Sequence, residues 1–203
     1  MKSSTRGSLI VVSGPSGSGK GTVCQGLFKE LANLQLSISA TTRKPRGQEQ
    51  DGVDYYFLNR EQFEAMIAGN QLLEWADVYG NYYGTPQKPV LEALSRGVDV
   101  VLEIDVQGAL HVKSRYPDSV LVFLLPPSRA ELARRLKNRG TDSSVDIEQR
   151  MQWAEKEIKE IPRYDYLLIN DDLAETVQRL CAIVIAERCR PRLFDIDLLL
   201  HNY

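Results

Sequence analysis

The sequence has no apolar run of transmembrane length, and its opening segment MKSSTRGSLIVVSG is too briefly apolar for a signal peptide. A cytoplasmic location is the expectation. Cysteine is scarce. Cys24, Cys181 and Cys189 are an odd set with no metal-ligand spacing, which suits a reducing compartment better than a disulfide framework. Charge of one sign is also lacking: 25 Lys and Arg stand against 27 Asp and Glu, for a net charge of -2. No global basic field therefore points to nucleic acid or a membrane surface, and any basic residues that matter must act locally. Internal repeats and low-complexity tracts are missing as well. What remains is 203 residues, 43% hydrophobic and 26% charged, long enough for one sizeable soluble domain with inserted lobes.

One motif stands out from that ordinary background. VVSGPSGSGKGT (11–22) contains G-x-x-x-x-G-K from Gly14 to Lys20. Alone it would occur by chance in on the order of a few per cent of chains this long. Its context is more specific. SLIVVS (8–13) reads as a buried parallel strand, and Val23, Leu27, Leu31 and Leu34 follow at helical spacing. A strand, a glycine loop and a helix aim backbone N–H groups and a helix N-terminus at one anion. Residues Gly14, Pro15, Ser16, Gly17, Ser18, Gly19 and Lys20 are thus the expected phosphate cradle. The residue after the lysine should carry a hydroxyl for Mg²⁺. Here it is Gly21, with Thr22 one place later, so Thr22, water and the nucleotide phosphates are the expected metal ligands.

The rest of the chain divides around this unit. LSISA (36–40) alternates like a strand, and TTRKPRGQEQDG follows with Arg43, Lys44 and Arg46 close together. That loop is either a solvated basic turn or a second phosphate clamp. A helix over 59–69 capped by Gly69, and strand-like spacing over 71–85 with a turn at Gly80-Asn81, complete a small α+β insert. Residues 86–97 read as a helix. VDVVLEIDVQG (98–108) reads as a strand running into two carboxylates, Glu103 and Asp105, where a nucleotide-binding protein faces Mg²⁺ or substrate. Strands over 119–128 and around YDYLLIND, and a closing helix, finish the core. Two helices, one over 129–140 and one from about 145 to 160, carry Arg135, Arg139 and Arg150 around a polar break; they are either exposed charged helices or a lid over transferring phosphates.

Taken together, SGPSGSGK, SISATTRKPRGQEQDGVDYYF, LLEWADVYGNYYGTP, VLEIDVQG, FLLPPS, RLKNRGTDS and LINDDL occur in the order and spacing of guanylate kinases, over roughly residues 8 to 187. The resemblance implies an α/β P-loop three-layer fold with a central parallel sheet, a small α+β GMP-binding insert and a helical lid. It implies ATP:GMP phosphotransfer with Mg²⁺, on GMP and dGMP, without nucleic-acid or membrane partners. The implied division is a flexible tail (1–7), a core (8–35, 90–127 and 163–190), the insert (36–89), the lid (128–162) and a C-terminal extension (191–203).

Roles implied by the resemblance follow position by position. The glycine loop through Thr22, with Asn170, resembles the ATP site. Arg43, Arg46, Tyr55 and Tyr83 match a clamp on the GMP phosphate. Ser39, Glu74, Thr85 and Asp105 match guanine-facing positions, with Asp105 beside Glu74 and Ser39 and Thr85 opposite. Lys20, Arg43, Arg135, Arg139 and Arg150 match the transfer-site cations. The chain departs from the family where Lys-Gly-Thr replaces Lys-Ser. It also departs in its C-terminal CRPRLFDIDLLLHNY, whose apolar part is either a domain cap or a contact in a homo-oligomer. Two other functions fit less well. A non-enzymatic protein-binding module has no need of Lys20 or the lid arginines. A kinase for a phosphorylated sugar has no base edge for Glu74, Ser39 and Thr85 to read.

Overall fold

The computed structural model of the protein describes residues 6–78, 80–138 and 144–201. Five strands form one parallel sheet: β1 (Leu9–Ser13), β2 (Leu34–Leu36), β7 (Asp99–Glu103), β8 (Val120–Leu125) and β9 (Tyr166–Ile169). Their order is β2-β7-β1-β8-β9, with β1 in register against β7 on one side and β8 on the other. Every residue of β1 is buried. That burial is why the strand is a continuous apolar run and does not alternate.

Helices cover both faces. On one, α1 (Lys20–Glu30) and α7 (Leu173–Glu187) pack Val23, Cys24 and Leu27 against Leu180, Cys181 and Val184. Cys24 and Cys181 are thus core side chains, and all three cysteines are free thiols. On the other face, α3 (Gln87–Ser95) and α4 (Val106–Arg115) bury Val90, Leu94, Ala109 and Val112 against Val11, Val100 and Leu121. The result is the expected three-layer α/β core.

The insert is a separate mixed sheet. It comprises β3 (Ala40–Thr41), β4 (Tyr56–Phe57), β5 (Leu72–Val78) and β6 (Asn81–Pro86), in the order β4-β3-β6-β5. Its helix α2 (Arg60–Ala68) starts with a reciprocal cap between Asn59 and Gln62 and drives Phe63 into a small core with Ala40 and Leu72. Arg115 of α4 ties this sheet to the core by donating to the carbonyls of Leu72 and Leu73, each at 2.9 Å. Two further helices, α5 (Arg129–Lys137) and α6 (Ser144–Ile158), form the lid position around Leu132, Leu136, Met151 and Ala154.

Several local expectations change. Residues 37–39 are not strand: the chain leaves the large sheet after Leu36 and joins the small one at Ala40, so the alternation of LSISA spans two sheets. The segment 98–108 is strand only to Glu103. Asp105 caps α4 by accepting from the Gly108 amide at 2.7 Å, which stops the extended chain there. Gly69 does cap α2, its amide donating to the Ala65 carbonyl, but with φ -78°; the left-handed residue is Asn70, at φ 50°. Gly7 is not a tail residue: its amide donates to the Leu94 carbonyl at 2.8 Å, and it is buried.

The C-terminal segment divides in the same way. Leu193 is buried, and Arg190 and Arg192 bond to the buried Glu187, so the start of the segment caps the core. The short α8 (Ile196–Leu200) leaves Leu198 and Leu200 exposed. Among the described residues, no helix is long and apolar enough to cross a membrane.

Candidate active site

The glycine loop lies between β1 and α1, as its flanks require. Gly14, Gly17 and Gly19 take φ values of 144°, 91° and 95°. A side chain at Gly14 would strike the Leu124 carbonyl, and one at Gly19 would strike Asn170. The loop therefore curls tightly against β8 and β9. Lys20 is the first residue of α1 and folds back over the loop, its ammonium donating to the carbonyls of Gly14 (2.7 Å) and Pro15 (3.2 Å). The Ser18 hydroxyl is buried and has no hydrogen-bond partner among the described residues. A buried polar group left without a partner is costly and suits a site that a polar ligand completes.

Three side chains brace this loop from outside. Asn170, buried after β9, donates to the Ser18 carbonyl at 2.8 Å. Arg135 of α5 donates to the Asn170 carbonyl at 2.9 Å and to Glu131 at 2.7 Å. Arg150 of α6 reaches the Ser16 hydroxyl at 3.2 Å. Arg135 and Arg150 thus converge on the loop from different helices, which their sequence separation alone did not reveal. Arg139 lies outside the described residues.

The strand-end acid Glu103 faces Gly21. A Cβ at Gly21 would lie 3.5 Å from both carboxylate oxygens, in ordinary van der Waals contact with them. Thr22 is exposed on α1. Among the described residues, no group of three or more His, Cys, Asp or Glu side chains could hold a metal ion.

In the insert, Arg43, Tyr55 and Tyr83 meet. The Arg43 guanidinium lies 4.8 Å from the centre of the Tyr55 ring, and Tyr55 meets Tyr83 edge-on at 6.2 Å. Arg46 is exposed at the loop tip. Glu74 on β5 and Thr85 on β6 are both buried, and the Thr85 hydroxyl donates to Glu74 Oε1 at 2.7 Å. This corrects the expected placement of Thr85 across from Glu74. The register of the β5–β6 hairpin puts the two side by side, and the threonine proton is already committed. Ser39, immediately before β3 of the same sheet, is half-buried. Burial raises the Glu74 carboxyl to about 7, against the Thr85 hydrogen bond and with help from Asp105.

Two acids here escaped the sequence reading. Glu49 is bonded to Arg43 through both carboxylate oxygens, at 2.6 and 2.7 Å. Its signal was the acid three residues after Arg46 in the basic loop. Glu157 of α6 is raised to about 7 by burial, with Lys20 opposing and Asp105 adding to the shift. Its spacing of seven residues from Arg150, two helical turns, could have placed it on the same face.

The segment after β7 connects both halves of the site. Glu103 faces Gly21 in the glycine loop, while a Cβ at Gly108 would stand 2.7 Å from Glu74 Oε2. The glycine loop and the buried carboxylate of Glu74 thus face one short stretch of chain.

Comparison with known proteins agrees with this arrangement. A family model described as guanylate kinase matches residues 6–187. The guanylate kinase of Carboxydothermus hydrogenoformans is 57% identical, with 97% of each chain covered. That of Halalkalibacterium halodurans is 53% identical over 94% of each. The crystal structure of guanylate kinase from Anaplasma phagocytophilum superposes with a TM-score of 0.82 at 33% identity, covering 98% of this chain and 95% of that one. With the loop, the insert and the segment that joins them all in place, the chain belongs to the guanylate kinase family.

Proposed function

We propose that the protein transfers the γ-phosphoryl group of ATP to the phosphate of GMP, giving ADP and GDP, with dGMP as an alternate acceptor. The observation that carries this reading is the 103–108 stretch, which touches the glycine loop at one end and the Glu74 pocket at the other. A donor and an acceptor nucleotide held at those two ends would have their phosphates between them.

No side chain acts as a nucleophile. An oxygen of the GMP phosphate attacks the γ-phosphorus as its bond to the β,γ-bridging oxygen of ATP breaks, and ADP leaves. The protein aligns the two phosphates and offsets charge. The loop amides and Lys20 hold the ATP phosphates. Arg43, Arg46, Tyr55 and Tyr83 hold the acceptor phosphate. Arg135 and Arg150, which both reach the loop, offset charge on the transferring group, a role that the resemblance also gives Arg139, and Asn170 supports the loop. Glu74, Asp105, Ser39 and Thr85 read the base. In this reading the core (with Gly7), the insert and the lid keep the bounds that the resemblance implies.

Mg²⁺ fits this donor set as an ion that keeps most of its waters. Glu103 offers hard oxygen beside the loop, the missing side chain of Gly21 leaves space for a small group before it, and Thr22 is exposed on the first turn of α1. When bound, the ion neutralises charge on the ATP oxygens. Gly21→Ser places a hydroxyl in the gap before Glu103. The expected result is a Mg²⁺ requirement shifted by no more than about threefold, because a water already fills that role readily. A Mg²⁺ titration of the turnover rate checks it. A tenfold change would mean that residue 21 contacts the ion directly.

The reading as a whole is tested by coupled ADP release with GMP, with AMP and with no acceptor. Fast release is expected with GMP alone. Equal release without an acceptor would make the protein an ATPase and overturn the assignment.

A further inference from the structure

The Arg43–Glu49 pair has a geometry that a surface ion pair does not need. The carboxylate grips Arg43 with two bonds, Nη1 to Oε2 at 2.6 Å and Nη2 to Oε1 at 2.7 Å. A second Nη1–H goes to the Lys44 carbonyl at 2.9 Å. The same Oε2 also accepts from the Arg46 amide at 2.8 Å, so one carboxylate joins both arginines of the basic loop. The Arg43 side chain is 9% exposed and that of Glu49 24%. Bonding to Arg43 holds the Glu49 carboxyl at about 2, with the Arg46 amide adding to the effect, so it stays ionised throughout the working range.

A guanidinium carries five N–H groups arranged as two forks. Glu49 takes the fork between Nη1 and Nη2, and the Lys44 carbonyl takes the outer Nη1–H. The Nε–H and the outer Nη2–H are engaged by neither. These lie side by side on the opposite edge and match two phosphate oxygens. The Tyr55 ring under the guanidinium, at 4.8 Å, restricts it from tilting away.

We propose that Glu49 is a positioning residue of the acceptor site: it holds one edge of Arg43 so that the Nε–Nη2 edge is presented to the phosphate of GMP. The inference rests on the reading of Arg43 as a phosphate clamp. Glu49 does not compete with that phosphate, because the two anions use different edges of one cation. Without Glu49, Arg43 samples many rotamers and must be ordered by each incoming GMP.

The test separates the phosphate from the rest of the ligand. Calorimetric dissociation constants for GMP and for guanosine are measured on the wild type, Glu49→Gln, Glu49→Asp, Arg43→Ala and the double variant Arg43→Ala/Glu49→Gln. Glu49→Gln is expected to weaken GMP about tenfold and leave guanosine unchanged. Glu49→Asp, which keeps the charge, should recover part of the loss. In the Arg43→Ala background, Glu49→Gln should add nothing. Equal weakening of GMP and guanosine would reduce Glu49 to a loop brace, and unchanged or tighter GMP binding would make it a competitor; either overturns the proposal. An Arg43→Ala variant with unchanged GMP affinity would instead remove the clamp itself, and the positioning role with it.

Discussion

Replacing Glu74 by Leu is expected to lower kcat/KM for GMP by ~10³-fold or more and to leave the weak activity on AMP nearly unchanged. Guanine offers N1–H and a 2-amino group as donors, and an ionised carboxylate only accepts. Adenine presents an acceptor at N1 and no 2-amino group, so it leaves buried carboxylate oxygens unpaired. Sites built on such hydrogen bonds reject the mismatched analogue by ~10⁴-fold. Thr85 sharpens the contrast. Its proton is spent on Glu74 Oε1, which leaves Oε2 as the oxygen with more capacity to accept. Guanine O6 then depends on Ser39 for a hydroxyl proton. Leucine at position 74 also strands the buried Thr85 hydroxyl, at about 1–3 kcal/mol, so a melting curve must accompany the kinetics. Glu74→Gln, which keeps an acceptor for Thr85, is the control for folding. Equal, small losses for both nucleotides would show that Glu74 does not read the base.

The same residue sets a pH dependence. Burial raises Glu74 to about 7 in the free protein, and guanine's donors require its ionised form. GMP binding should therefore be strongest above about pH 7 and weaken as pH falls through that value, approaching tenfold per unit. The GMP phosphate, with its second pKa near ~6, adds its own loss at lower pH. Dividing the wild-type profile of kcat/KM by that of Glu74→Gln removes the shared phosphate contribution. The quotient should fall on the acid side of about pH 7; a flat quotient would mean that Glu74 is already ionised throughout.

Lys20→Met is expected to reduce kcat by ~100-fold or more while the protein stays folded. Methionine keeps the length and the apolar stem and loses the ammonium. The loop loses two bonds from that ammonium, but its glycines and Asn170 on the Ser18 carbonyl still hold its shape. What disappears is a cation held at the loop's mouth by the Gly14 and Pro15 carbonyls before any nucleotide arrives. A preorganised donor of this kind stabilises developing charge without reorganisation, and loss of one costs ~10²–10³ in kcat elsewhere. The measurement is ADP release under saturating substrates, with a thermal melt as the fold control. A melt shifted by only a few degrees with near-normal turnover would remove the glycine loop from the reaction.

Much of this protein was written in local pattern. The buried run LIVVS, the glycines after it and the periodic apolar residues of α1 specify a strand, a phosphate loop and a helix from neighbouring residues alone. Local sterics and burial dictate all three. Basic residues at 43 and 46, and acids at 103 and 105, stood out from their place in a loop and at a strand end, whereas Glu74 was a candidate only through the family resemblance. Their partnerships were not visible. That Thr85 stands beside Glu74 follows from the β5–β6 register. Asp105 became a helix cap because the chain turns into α4 there. The grip of Glu49 on Arg43 depends on how one loop folds back on itself, and the bond from Arg150 to Ser16 and the approach of Gly108 to Glu74 join segments separated by whole helices. Side-chain pairing across such distances depends on where the backbone has brought two atoms within ~3 Å, and the order of residue types does not carry that information.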